Sequence, residues 1–388
     1  MRVASCLCVV LALVGACDDG DESGARSTDG GGAPGGGGAE SGGSAGAGGA
    51  AGSSGGASGD ADADSPGPIL ACSARVVSTL AGKDAGFQEG SAGPEGIARL
   101  DGVKGLAVYA TVAAFVADRN NQRVRILLLD GSECDRFAGN GTPGLSDGDA
   151  ELSALNAPEG VASDEQGVVY VADTGNHALR RVQSGKLETL AGGGAPGFDD
   201  GPPARFHHPT GVAVAPGGVL FVSDRDNHAV RRRDAQGNVT TLAGDGTPGF
   251  ADGTGISARF SSPWGIALGK DGVLWVSDTG NDRIRKLDPA GNVTTFAGGD
   301  GSLEAPMGLA LSAEGLLYVA DSGHQRVLRY LPDGTQELVA GNGNTGFRNG
   351  PAASAEFSEL AGLALSDAYA GGGLLVADAH QVRLIHCP

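Results

Sequence analysis

Seven side chains carry binding chemistry at positions where an otherwise repetitive sequence stops repeating. Glycine opens a Gly-aliphatic-Ala triplet six times, at Gly105, Gly160, Gly211, Gly265, Gly308 and Gly362. The residue directly before it differs each time: Lys104, Glu159, Thr210, Trp264, Met307 and Ala361. Glu159 and Thr210 offer acceptor groups, Trp264 and Met307 an apolar wall, and Lys104 a charge next to Glu159 in repeat order. His207 and His208 lie just upstream of Thr210, where the next repeat has Ser261 and Ser262. Their imidazoles can serve as donors or as ligands. Together these groups suit a small polar ligand, or a partner's basic side chain, held between Glu159, Thr210, Trp264 and His208. Aromatic and charged anchors of this kind tend to dominate binding. A catalytic metal would need three or four convergent His, Glu, Asn or Asp ligands. Only Glu159 among the six variable positions is a good ligand. The residues therefore read as a binding site with no catalytic residue and no metal centre.

Other candidates repeat too faithfully to be a site. Asp118, Asp173, Asp224, Asp278, Asp321 and Asp378 each close a bulky-Val-small-Asp run. An aspartate at a strand end accepts hydrogen bonds from the following turn amides, so these six read as scaffold. His177, His228, His324 and His380 lie in the turn after the strand-end Asp on different units and are not expected to share a metal. The paired arginines Arg123, Arg125, Arg180, Arg181, Arg231, Arg232, Arg283 and Arg285 recur likewise and are expected to face the strand-end aspartates.

The elements that position these groups are short strands. Residues 209–244 contain four runs of β-branched, aromatic or alternating residues, separated by Gly, Pro, Asn and Asp turns. That is the signature of an antiparallel meander. Six copies of a four-stranded unit cannot bury their faces singly, but arranged radially they can. The fold class is all-β, a six-bladed β-propeller. The segment Val-Tyr-Val-Ala-Asp-Thr-Gly-Asn-His-Ala-Leu-Arg at residues 169–180 resembles the NHL repeat, as does Leu-Trp-Val-Ser-Asp-Thr-Gly-Asn-Asp-Arg-Ile-Arg-Lys at residues 274–286. The likeness covers all six units. Blade 1 departs with Val103 in place of the leading Pro, and blade 6 with Leu360 and a shortened turn. The resemblance implies a propeller. It also implies either a binding module or, as in some related propellers, a metal-dependent lyase or lactonase at the top of the channel.

An Ala-Gly pair closes each fourth strand, first at Ala81-Gly82 and last at Ala340-Gly341. The first pair precedes any blade and the last blade has none. Residues 75–81 are therefore expected to supply the outer strand of blade 6, closing the ring by strand exchange. Cys72 and Cys387 then flank a hairpin turn at which the chain is cut, and a disulfide between them would replace the missing covalent turn. Cys134 is left over and reads as a buried thiol.

Three segments follow in chain order: a signal peptide at 1–16, a tether at 17–68 and the propeller at 69–388. The apolar run at residues 6–16 is too short to span a bilayer. It ends Leu-Val-Gly-Ala-Cys, which resembles the bacterial lipobox and implies cleavage before Cys17 and acylation of it. The expected location is the bacterial cell envelope, periplasmic or at the cell surface, with the membrane reached through the lipid anchor alone. Residues 18–68 hold no Leu, Val, Ile or aromatic residue and cannot offset chain entropy by burial, so a disordered tether is expected.

Strand direction places the long connections at 83–103, 140–158, 193–209, 245–263, 299–306 and 342–361 on one face. Phe87, Leu145, Phe198, Phe250 and Phe347 recur in them and are expected to pin each loop to its blade. From residue 69 onward the chain carries 37 acids against 25 Lys and Arg, with nearly all of the excess on those loops. Such a face repels nucleic acid and attracts cations or a basic partner. No cofactor is expected, calcium being the cation the loops could take. The function expected is that of a monomeric, non-enzymatic module binding a protein or small ligand, basic or cationic in character.

Overall fold

The computed structural model describes Leu70, Cys72, residues 74–93 and residues 95–388. The expected signal peptide, Cys17 and the tether lie outside the described residues. The described residues form six antiparallel sheets of four or five strands, the blades of a propeller. Blade 3 is representative: Pro209–Ala215, Val219–Asp224, Ala229–Arg233 and Val239–Ala243 pair in sequence order. The second strands are the most apolar, and Ala113–Asp118, Leu317–Asp321 and Gly373–Asp378 are buried at every position. They sit mid-blade with a neighbouring blade on each face, so both pleat faces are core.

Glycine is required where inner strands meet. A Cβ on Gly160 would lie 1.9 Å from the Thr210 carbonyl oxygen. On Gly362 it would lie 2.1 Å from that of Lys104, which joins blade 6 to blade 1 and closes the ring. Blade 6 takes its outer strand from the start of the domain: Val76–Ala81 pairs with Gln381–His386, in the register Val76 to His386 and Val77 to Ile385. Cys72 and Cys387 are disulfide-bonded beside this seam, with Cα atoms 6.0 Å apart. Cys134 is buried, and desolvation pushes its thiol up to about 11, which leaves almost no thiolate at neutral pH.

The long connections begin and end on one face, as the strand directions suggested, but they do not stay there. Five of them run down the outside of the following blade and pair with the start of its outer strand. Gly148–Asp149 pairs with Lys186 and Leu187, Gly253–Thr254 with Asn292 and Val293, and Gly350–Pro351 with Val76 and Val77. Single bridges join Gly90 to Cys134 and Gly201 to Val239. The cause is the open edge of each outer strand, whose unpaired N–H and C=O groups take the loop as a partner. Much of the acid excess therefore lies on the outer wall, not at the channel mouth.

Candidate functional site

Each second strand ends in a fully buried aspartate that fixes the mouth. In blade 3, Asp224 accepts from the His207 N–H at 2.8 Å, from Asn227 Nδ2 at 2.8 Å and from the Arg231 guanidinium at 2.7 Å. Arg231 also reaches loop Asp200 at 2.8 Å. The same aspartate–arginine–aspartate chain holds Asp173, Arg180 and Asp147 in blade 2, and Asp278, Arg285 and Asp252 in blade 4. Burial pushes the Asp224 carboxyl up to about 6, against the donors around it. One arginine of each recurring pair thus faces the strand-end aspartate as expected. The other does not: Arg181 pairs with Glu188, and Arg123 and Arg283 lie over the Phe87 and Phe250 rings. In blade 5, Leu328 occupies the inward position and Arg326 serves Asp321 in its place.

This frame surrounds the residue before each inner-strand glycine, yet the open pocket expected among Glu159, Thr210, Trp264 and His208 is not assembled. Thr210 is fully buried, and its hydroxyl donates to the Trp264 carbonyl at 3.1 Å. A threonine hydroxyl short of water satisfies itself on the next blade's backbone. Lys104 pairs with Glu359 at 3.9 Å, not with Glu159. Met307 packs beside Trp264, so the apolar wall does form, as core. Glu159 is 4 % exposed. It accepts from Arg119 Nε at 3.1 Å and from the Trp264 indole N–H at 3.1 Å, with Arg225 at 3.6 Å. Trp264 thus reaches from blade 4 across to blade 2 and roofs the channel. Beneath it the axial cavity measures about 50 Å³, room for a few waters. A larger cavity of about 670 Å³ opens at the opposite end, between blades 3 and 4, with Phe221, Leu242 and Leu268 in its walls and Arg232 and Lys270 among its lining.

His207 and His208 converge on a group the sequence reading passed over. Asp226 Oδ2 lies 2.6 Å from His208 Nδ1 and 3.8 Å from His207 Nε2. Its other oxygen accepts from Arg225 Nε at 2.9 Å. Burial opposes ionisation of Asp226, but hydrogen bonds from His208 and Arg225 outweigh it and hold the carboxyl below its usual range. His177 joins from blade 2, accepting the His208 N–H on Nδ1 at 3.1 Å, its ring edge-on to both histidines. A repeat-slot histidine thus does enter a cluster with side chains of another blade. Burial, then His208 and His207, lower the His177 pKa.

Arg119, Arg225 and Asp226 were legible by the same criterion that found Glu159. The slot after the strand-end aspartate is Thr174, Thr279 or Ser322 in blades 2, 4 and 5, and each donates to the next blade's carbonyl. Blades 1 and 3 place arginine there, and Asp226 replaces the glycine of Gly175 and Gly280.

The closed ring of NHL-type blades around a narrow axis defines the class: a six-bladed NHL β-propeller. Residues 144–340 match the SMP-30/Gluconolactonase/LRE-like region, and the chain belongs to that family. It is 32% identical over 133 residues to NHL repeat-containing protein 2 of Bos taurus, a match covering 31% of this chain and 18% of that protein. The chain spans less than a fifth of the length of the curated relatives it matches first. Among solved structures it resembles a protein of unknown function from Bacteroides thetaiotaomicron, with a TM-score of 0.61, 16% identity and coverage of 81% and 76% of the two chains. It also resembles a gluconolactonase from Xanthomonas campestris, with a TM-score of 0.55, 16% identity and coverage of 83% and 97%. At these identities the likeness establishes the fold.

Proposed function

We propose that the protein is a non-catalytic binding module, held at a bacterial cell envelope through lipidated Cys17, whose channel-mouth face takes a cationic partner. The observation that carries this reading is the closure of the axis. Glu159, the good ligand among the six variable mouth residues, is neutralised by two arginines and roofed by Trp264. The roughly 50 Å³ beneath cannot admit a substrate, since small-molecule sites measure about 300–1,000 Å³. Asp300, Glu304 and Glu359 stand exposed at the mouth end of blades 5 and 6, and these three carboxylates support a cationic partner there. The test is binding of a labelled lysine-rich peptide to the full chain, against a glutamate-rich control. The lysine peptide should bind, and should weaken at least about tenfold from ~10 to ~100 mM salt, as the Debye length falls from about 30 to about 10 Å. Asp300→Asn with Glu304→Gln and Glu359→Gln should weaken it about tenfold more. Equal binding of both peptides, or no effect of the triple change, would overturn the reading.

A second reading, a metal-dependent enzyme, draws support from the family and from the off-axis histidine cluster. Turnover of a lactone by the full chain, lost on chelation, would put that reading first.

A further inference from the structure

We propose that His207, His208 and Asp226 bind one divalent ion of the zinc class, leaving an open coordination position toward solvent. The inference rests on the geometry of this cluster, on which the second functional reading also draws, and is independent of the first reading. His207, His208 and Asp226 each present one ligand atom, all within 4.8 Å of one another. Two imidazoles and one carboxylate suit zinc and its first-row neighbours, whereas calcium and magnesium prefer all-oxygen sets.

The surrounding structure orients the ligands through hydrogen bonds, as the partners of metal ligands do. Arg225 holds Asp226 Oδ1, which turns Oδ2 toward both imidazoles. Asp224 accepts the His207 N–H, and His177 accepts that of His208, which fixes the backbone beneath both rings. His208 sits at φ 49°, and Ala157, Ser262 and Ala305 share that left-handed conformation before their own inner strands. The backbone frame is therefore common to several blades, and the ligands are special to blade 3. Blade 4 carries Ser261, Ser262 and Gly280 at the corresponding positions. Three departures from the repeat, from two separate segments, meet at one point.

The side chains of His207, His208 and Asp226 are 38%, 35% and 33% exposed, so an ion can enter and keep a water. Ligand atoms about 2.1 Å from a tetrahedral ion lie about 3.4 Å apart. The 2.6 Å contact between His208 Nδ1 and Asp226 Oδ2 must therefore open by under about 1 Å. The His208 proton moves from Nδ1 to Nε2, which frees the Nδ1 lone pair for the metal and requires no net proton release.

The experiment uses the full chain without a polyhistidine tag, stripped by chelator and dialysed against zinc, calcium or magnesium, with bound metal counted by mass spectrometry. Cobalt substitution adds the visible absorption of a tetrahedral site. We expect one zinc per chain, calcium and magnesium bound at least about a hundredfold more weakly, and cobalt absorption lost in the His207→Ser/His208→Ser variant. That variant copies the serines of blade 4, so it should fold with an unchanged melting temperature. Asp226→Asn should weaken zinc by about 10- to 100-fold. Failure to bind one zinc per chain would overturn the proposal. So would zinc retained at wild-type affinity in the folded double-serine variant, or calcium bound as tightly as zinc.

Discussion

Arg231→Met should destabilise the protein by about 3–5 kcal/mol in chemical denaturation, the range for removing one partner of a buried ion pair. Arg231 has no solvent exposure and bonds the Asp224 carboxylate, the Asp200 carboxylate and two backbone carbonyls. Its loss leaves Asp224 buried without its cation, which costs far more than the net worth of the pair. The deficit should depend on pH. Burial already pushes Asp224 up to about 6, and removing the guanidinium moves it higher. A raised folded pKa contributes stability below the unfolded value and loses it as pH rises through the folded one. The variant should therefore be weaker at pH 8 than at pH 5 relative to wild type, and Arg231→Met with Asp224→Asn should regain much of the loss. A change under about 1 kcal/mol, the size of an ordinary surface substitution, would show that the chain is not held together by these arginines.

Breaking the Cys72–Cys387 bond should cost a comparable amount. The bond spans 315 residues, and the chain-entropy relation gives about 6 kcal/mol for a loop of that size. Val76–Ala81 is the outer strand that completes blade 6, so freeing its end opens the seam where the ring closes. Cys72→Ser with Cys387→Ser should lower the denaturant midpoint, and reductant should lower that of wild type but not of the variant. A shift under about 1 kcal/mol would mean that strand pairing alone secures the seam.

Much of this fold was legible because it repeats. The phase of the Ala-Gly pairs placed the exchanged strand, and the cut turn pointed to Cys72 and Cys387. Strand-end aspartates announced the frame that holds the mouth. The site was legible only in part. Glu159, His207 and His208 showed themselves by breaking the pattern, but Arg119, Arg225 and Asp226, in the turns after the strand-end aspartates, were missed. Thr210 and Trp264 looked like open anchors because sequence cannot show that one spends its hydroxyl on a neighbouring blade and the other its indole on Glu159. The descent of the loops along the outer wall was also hidden, since it depends on the unpaired edges of strands distant in sequence.

On the reading proposed above, function lies off the axis and the Glu159 cluster is a structural plug. Thermal unfolding of Glu159→Gln, with zinc content measured on the same sample, tests this most directly. Neutralising Glu159 leaves Arg119 and Arg225 facing each other without their shared carboxylate. The account predicts a loss of about 2–3 kcal/mol in stability, with zinc content unchanged. A variant that melts at or above wild type while binding less zinc than wild type would contradict it, and would move the functional centre onto the channel axis.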